Sequence, residues 1–433
     1  MKGKMRHNLL LKCFLTLAIL ICAQVIGWAR NNNLPVMQED VILQWNRVLM
    51  ETVLTPGQHP ATIMQVRSYA MMHAAMFDAV NSIDGNHTPY LTDVPGSQHA
   101  SIEAAAAQAA RDVLASLYPT RVAVFDAELA VSLQGIEDYR AQQGIRVGQI
   151  VAERMLAART NDGWAVTPPS YALPTTPGNW QPTSTAATFT HYPYVLPFAI
   201  KSGSQFAPIP PPAMTSAQYA ADLNEVKEIG ALNSATRTLD QTQVARLWAN
   251  VNTPTNFLLV WNNVARTVSV ARELTIVEKA RLFALTNIAL HDALQTTFTA
   301  KFQHGLWRPI TAIRRADEDG NANTTADPSW SSLIGAPAYP SYAGNMAAIG
   351  TSQSTILAQF FGRDDIGFQH TWAGAGGATR SYAGFSAMAT EQERARVYGG
   401  IHFTFDNVAG QSVGRNVANY IFSNIMRPRV CVR

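Results

Sequence analysis

This chain is poor in cysteine, poor in charge and nearly without strand-like alternation. It has 3 Cys in 433 residues, and Cys13 and Cys22 fall in a leader-like stretch, which leaves Cys431 by itself. A single remaining cysteine excludes a disulfide framework, so a metal site would need His or carboxylate ligands. Only 15% of the residues are charged, against 47% hydrophobic. That balance excludes a disordered chain and leaves room for one large core or two fused halves. Segments alternating apolar and polar residues at period two are scarce, so a sheet protein is not expected.

The first 29 residues read as an export signal. Lys2, Lys4, Arg6 and Lys12 precede an apolar run from Phe14 to Ile26, and Gly27-Trp28-Ala29 offers small residues for cleavage. The alternative is a membrane anchor, since Leu9 to Ala29 is long enough to span. The leader holds four of the 33 basic and none of the 30 acidic residues. The mature chain then carries 29 basic against 30 acidic side chains, and no nucleic-acid or anionic-membrane partner follows from its charge. The expected location is secreted or periplasmic, with no stable membrane span after cleavage.

Helical periodicity fills the rest. Apolar residues recur at three and four over 41–53, 61–80, 102–117, 122–133, 147–158, 217–229, 241–248, 276–298, 344–361 and 391–398. A stretch rich in Pro, Thr, Ser and Gly from Pro168 to Pro212 divides residues 30–433 into an N-terminal half (about 30–215) and a C-terminal half (about 216–433). Arg67-Ser-Tyr-Ala-Met-Met-His-Ala-Ala-Met-Phe-Asp-Ala-Val80 aligns without gaps to Arg281-Leu-Phe-Ala-Leu-Thr-Asn-Ile-Ala-Leu-His-Asp-Ala-Leu294. The small residues Ala70, Ala75 and Ala79, with Ala284, Ala289 and Ala293, mark a face on which helices approach closely. The expected fold is all-α, with two related helical bundles packed about a pseudo-twofold axis.

Three blocks in the C-terminal half carry chemistry: Lys301 to Pro309, Pro340-Ser-Tyr-Ala-Gly-Asn345, and Arg396 to Asp406. On a continuous helix Lys301 and Arg308 would lie about 10 Å apart on one face, but Gly305 and Pro309 interrupt it. Both side chains can still bend to a common point, Arg308 as a planar fork and Lys301 as a point charge. Gly399-Gly400 separates a helix ending near Arg396 from one beginning near His402. Asp406, one turn on, can accept from one ring nitrogen of His402 and leave the other as ligand or nucleophile.

These blocks resemble the signature of vanadium-dependent haloperoxidases and the related type 2 phosphatidic acid phosphatases, which reads K-x6-R-P, then P-S-G-H, then S-R-x5-H-x3-D. The resemblance is strong over about residues 274–418. It implies that Lys301, Arg308 and Arg396 hold the equatorial oxygens of vanadate, with phosphate as the competing ligand. His402 would bind vanadium or attack phosphorus, oriented by Asp406. The activity implied is halide oxidation by hydrogen peroxide. The alternatives are acid phosphatase action on a phosphomonoester through a phosphohistidine, and an oxyanion-binding relative with impaired chemistry. The middle block departs from the pattern. With the glycines aligned, Gly344 donates its backbone N–H and Asn345 stands where the acid/base histidine is expected; in another register Ser341 donates to the anion. Ala395 replaces the serine before the arginine. His304, three residues after Lys301, is the nearby histidine expected to stand in for the missing one. A homodimer is among the assemblies open to such a chain.

Overall fold

The computed structural model describes residues 39–58, 63–95, 97–249, 257–373 and 376–429. The expected leader and Cys431 lie outside these residues. Thirteen α-helices and one short hairpin make up the regular structure of the described residues. In chain order they are α1 (Val41–Leu54), α2 (Val66–Asp84), α3 (Ile102–Leu117), α4 (Val122–Ser132), α5 (Asp138–Arg159), α6 (Ala217–Ile229), α7 (Leu239–Leu247), α8 (Phe257–Ala271), α9 (Ile276–His304), α10 (Pro309–Arg314) and α11 (Asn345–Phe361), then the antiparallel strands β1 (Phe368–Trp372) and β2 (Ala378–Tyr382), and finally α12 (Phe385–Tyr398) and α13 (Thr404–Asn424). No described helix is long and apolar enough to cross a membrane.

The expected repeat is present and runs further than the sequence echo. In the first bundle α2, α3 and α5 pack on one another; in the second, α9, α11 and α13 do the same, and α2 meets α9 between them. Ala70, Ala75 and Ala79 on α2, and Ala284, Ala289 and Ala293 on α9, are fully buried. Asp78 and Asp292, paired by the echo, hold matching backbone segments. Asp78 accepts the N–H groups of Tyr90, Leu91 and Thr92 at 2.7–2.9 Å, and Asp292 accepts those of Phe198, Ala199 and Ile200 at 2.7–3.0 Å. Each carboxylate thus satisfies three donors of an extended segment.

Two glycines in each bundle repeat as well. A Cβ on Gly144 or Gly148 of α5 would strike the carbonyls of Ser101 or Ala105 along α3, and one on Gly410 or Gly414 of α13 would strike those of Gly344 or Ala348 along α11. The helix pairs approach too closely for any side chain there. Ser101 and Gly344 are the N-caps of α3 and α11. Their backbone N–H groups donate to Arg140 O at 3.0 Å and Asp406 O at 2.8 Å, in corresponding places.

The proline-rich stretch contains one turn of 3-10 helix, Tyr192–Tyr194, and otherwise no helix or ladder strand. It crosses between the bundles. Its Thr188 donates to Ala338 O at 2.8 Å, just ahead of the middle block, while its Phe198 to Ile200 cap Asp292.

Candidate oxyanion site

Local chain signals bring the three blocks together. α9 begins at a capping box made by Thr275 and Glu278, and ends at Gly305, whose φ of 58° is left-handed. The chain turns back there, so Lys301 closes α9 and Arg308 caps α10, with Pro309 as its first residue. Arg396 lies in the last turn of α12. Gly400, at φ 76°, turns the chain into His402. Asp406, one turn into α13, accepts the backbone N–H of Phe403 at 3.2 Å and so caps the helix it belongs to.

His402 stands between Arg308 and Asp406. Its Nδ1 is 2.8 Å from Asp406 Oδ2, and its Nε2 is 3.0 Å from Arg308 Nη1. A guanidinium can only donate, so Nε2 must accept, and the proton lies on Nδ1, directed at the carboxylate. Burial, then the charges of Arg308, Lys301 and Arg396, push the His402 imidazole well below its usual pKa. The ring is neutral, with an unprotonated accepting nitrogen facing cationic groups. Asp406 Oδ2 also takes the Ser341 hydroxyl at 2.5 Å, while Oδ1 is buried without a partner. Burial pushes this carboxyl up to about 6, opposed by Ser341, Lys301 and Arg308.

Arg308 is fully buried. Its Nε donates to Tyr339 O at 2.8 Å, and its Nη1 donates to Ile401 O at 2.9 Å as well as to His402. Its Nη2 is buried with no partner. Arg396 gives Nη1 to Trp248 O at 3.0 Å, at the C-terminal end of α7, and its buried Nε also has no partner. Burial lowers Arg396 to about 10. Two cationic donors left unsatisfied beside an accepting imidazole nitrogen call for an acceptor-only guest, because each unpaired buried donor costs about 1–3 kcal/mol.

Among the described residues, no group of three or more His, Cys, Asp or Glu is placed to hold a metal ion. The donor set suits an oxyanion rather than a bare cation. A family model described as the VCPO second helical-bundle domain matches residues 281–429, which include all three blocks. The vanadium chloroperoxidase of Curvularia inaequalis is 24% identical over 74% of this chain and 65% of its own length. This chain therefore spans a little under two thirds of that relative. The fold is similar to that of the first bacterial vanadium-dependent iodoperoxidase, with TM-score 0.76, 21% identity, and 90% of this chain and 96% of that one covered. It is also similar to a holo-type bacterial vanadium-dependent chloroperoxidase, with TM-score 0.69, 16% identity, and 88% and 96% covered. Residues 281–429 thus resemble that helical-bundle family, and the fold of the described residues is similar to that of the vanadium haloperoxidase structures.

Within this haloperoxidase-like frame, several residues expected to face the anion are otherwise engaged. Lys301 Nζ donates to Ser341 O at 2.7 Å, Ala343 O at 2.6 Å and Pro340 O at 3.3 Å. All three ammonium hydrogens are directed into the middle-block loop, so Lys301 holds that loop in place. Gly344 N–H, expected to reach the anion, is taken by Asp406 O, as in the first bundle. The Ser341 hydroxyl is taken by Asp406. Asn345 is the first residue of α11, 3% exposed, and lines a cavity of about 390 Å³ with Arg396, Tyr339, Phe189 and Met346. His304, half-buried at the end of α9, sits edge-on to the Tyr342 ring at 5.4 Å and is not among the residues lining that cavity.

Two residues at the site escaped the sequence reading. Tyr339 places its ring 4.9 Å from the Arg308 guanidinium and 5.4 Å from Lys301 Nζ. Trp248 supplies the carbonyl under Arg396, and its indole donates to Glu391 at 3.1 Å. The Pro337-Ala-Tyr-Pro340 run immediately before Ser341 was the available signal for Tyr339. Trp248 had none, since it acts through its backbone.

Proposed function

We propose that this protein binds vanadate at His402 and oxidises halide with hydrogen peroxide. The observation that carries the reading is the pair of buried, unpartnered donors, Arg308 Nη2 and Arg396 Nε, beside the accepting Nε2 of His402. When bound, vanadate supplies Lewis acidity that makes peroxide oxygen electrophilic toward halide.

The chain's own residues do the rest. Asp406 keeps the His402 proton on Nδ1, which leaves the Nε2 lone pair as the donor that would hold vanadate. Ligand binding at Nε2 requires Arg308 Nη1 to yield its contact there, which frees a third donor for the oxyanion. Lys301 need not touch the ligand to act on the site, since it holds the middle-block loop through three carbonyls, while burial and the neighbouring Arg308 push its ammonium well below its usual pKa. Asn345 cannot exchange a proton near neutral pH, so anion binding is retained more fully than turnover. Export through residues 1–29 is part of the same proposal, to be checked by N-terminal sequencing of protein recovered outside the cytoplasm.

Purified protein should bind vanadate and oxidise bromide or iodide only when vanadate is present, and His402→Ala should abolish both. Phosphomonoester hydrolysis that vanadate inhibits, without halide oxidation, would instead make the protein a phosphatase acting through His402. Vanadate binding with neither activity would make it an oxyanion-binding relative.

A further inference from the structure

We propose that the Tyr339 hydroxyl is the proton-exchanging donor of this oxyanion site, taking over the task that Asn345 cannot perform. This inference rests on the oxyanion reading above. Of the groups able to donate to a bound anion, the structure engages the Lys301 ammonium with three carbonyls, the Gly344 N–H with Asp406 O and the Ser341 hydroxyl with Asp406 Oδ2. The cavity wall that reaches Arg396 is otherwise made of Ile63, Phe189, Ala249, Ile334, Pro337, Met346 and similar residues without acidic hydrogens. The Thr188 hydroxyl is turned to Ala338 O at 3.3 Å. Tyr339 is half-buried in the same wall, so water can reach it.

Its surroundings are suited to proton transfer. The ring lies against Arg308 and Lys301, with the guanidinium carbon 4.9 Å and the ammonium nitrogen 5.4 Å from its centroid, and it shares a cavity wall with Arg396. The ring position is fixed from behind by Phe298 at 5.0 Å and Phe189 at 6.2 Å. In the step assigned to it, the Oη–H bond would break as its proton passed to an oxygen of an anion held by Arg308 and Arg396. The two guanidiniums hold the phenolate left behind, and cavity water returns the proton.

The test compares full-length wild type with Tyr339→Phe, which keeps every ring contact. Vanadate affinity is measured by titration followed with vanadium NMR, and halide oxidation by steady-state kinetics. We expect Tyr339→Phe to weaken vanadate binding about tenfold and, where the wild type turns over, to lower kcat about a hundredfold. Adding Asn345→His to that variant should recover kcat but not affinity. Wild-type affinity and wild-type kcat in Tyr339→Phe would overturn the assignment while leaving the oxyanion site standing. If the wild type binds neither vanadate nor phosphate, the site reading itself falls. Should the wild type bind without turning over, the affinity comparison alone decides.

Discussion

Arg308 Nη1 lies 3.0 Å from His402 Nε2, so a guanidinium covers the ring nitrogen that any ligand of His402 would have to reach. The contact keeps the imidazole neutral and its second nitrogen unprotonated, in the form a metal centre needs. It also ties ligand entry to movement of one side chain.

Removing that side chain separates its two roles. Arg308→Ala leaves His402 Nε2 uncovered but takes away the donor at Nη2 and the charge beside it. Vanadate affinity is expected to fall at least a hundredfold, as for loss of a charge-assisted contact of about 3 kcal/mol. A variant that binds as tightly as wild type, by the same titration, would mean the orphaned donor does not face the ligand.

Lys301 should matter more to stability than an ordinary ligand residue. In Lys301→Met, the carbonyls of Pro340, Ser341 and Ala343 lose their shared donor inside the protein. Unpaired buried acceptors cost about 1–3 kcal/mol each, and removing the desolvated charge recovers part of that, so a net loss of about 2–4 kcal/mol is expected in denaturant unfolding. Unchanged stability with weakened vanadate binding would restore Lys301 to the role of direct ligand.

The glycine pairs should be intolerant of a single methyl. Gly414→Ala would drive a Cβ into the Ala348 carbonyl, and Gly148→Ala would do the same to Ala105 O. Each is expected to lower stability by about 1–3 kcal/mol through overpacking, despite the better helix propensity of alanine. Thermal unfolding of either variant at or above wild-type Tm would show that the helices separate freely.

Acid should weaken the fold through its buried histidines. Burial lowers His73 to about 3 and His370 to about 4. Below pH 6.5 the unfolded chain protonates these rings while the native protein does not, so stability drops as pH falls. Each contributes a loss of about 2 kcal/mol by pH 5. Asp78 works in the opposite sense: burial raises it to about 6, so the native state takes up its proton first as pH falls through that value. Comparison with His370→Phe cancels the Asp78 effect. Its stability should fall about 2 kcal/mol less than wild type between pH 7.5 and 5, and parallel pH curves would contradict burial of a neutral His370.

The sequence revealed helices better than contacts. The helices 102–117 and 217–229 were legible to the residue because Ser101 and Ser216 cap them with side-chain oxygens and their apolar spacing is regular. The start of α13 was expected near His402, but its run to Asn424 was not, because Gly410 and Gly414 lower its helix propensity, and those glycines are present for packing. α8 shows how far the repeat extends unnoticed. Its Trp261-Asn262 matches Trp45-Asn46 of α1, and the two asparagines hydrogen-bond at 3.0 Å, flanked by His73 and Asn287. At the site, residue types and spacing indicated which side chains would gather. Spacing could not show that Lys301, Ser341 and Gly344 turn to partners within the protein, because donor direction depends on the loop they build.

The matched N–H to carbonyl links, Ser101 to Arg140 and Gly344 to Asp406, point to a scaffold indifferent to its cargo. One joint ends on an exposed arginine and the other on a buried carboxylate that orients a histidine. The first bundle is therefore an internal control for the second, a folded copy of the frame without the three blocks. Grafting the cage onto it, or stripping the cage from its twin, would ask how much chemistry a helical frame can gain or lose before its packing responds.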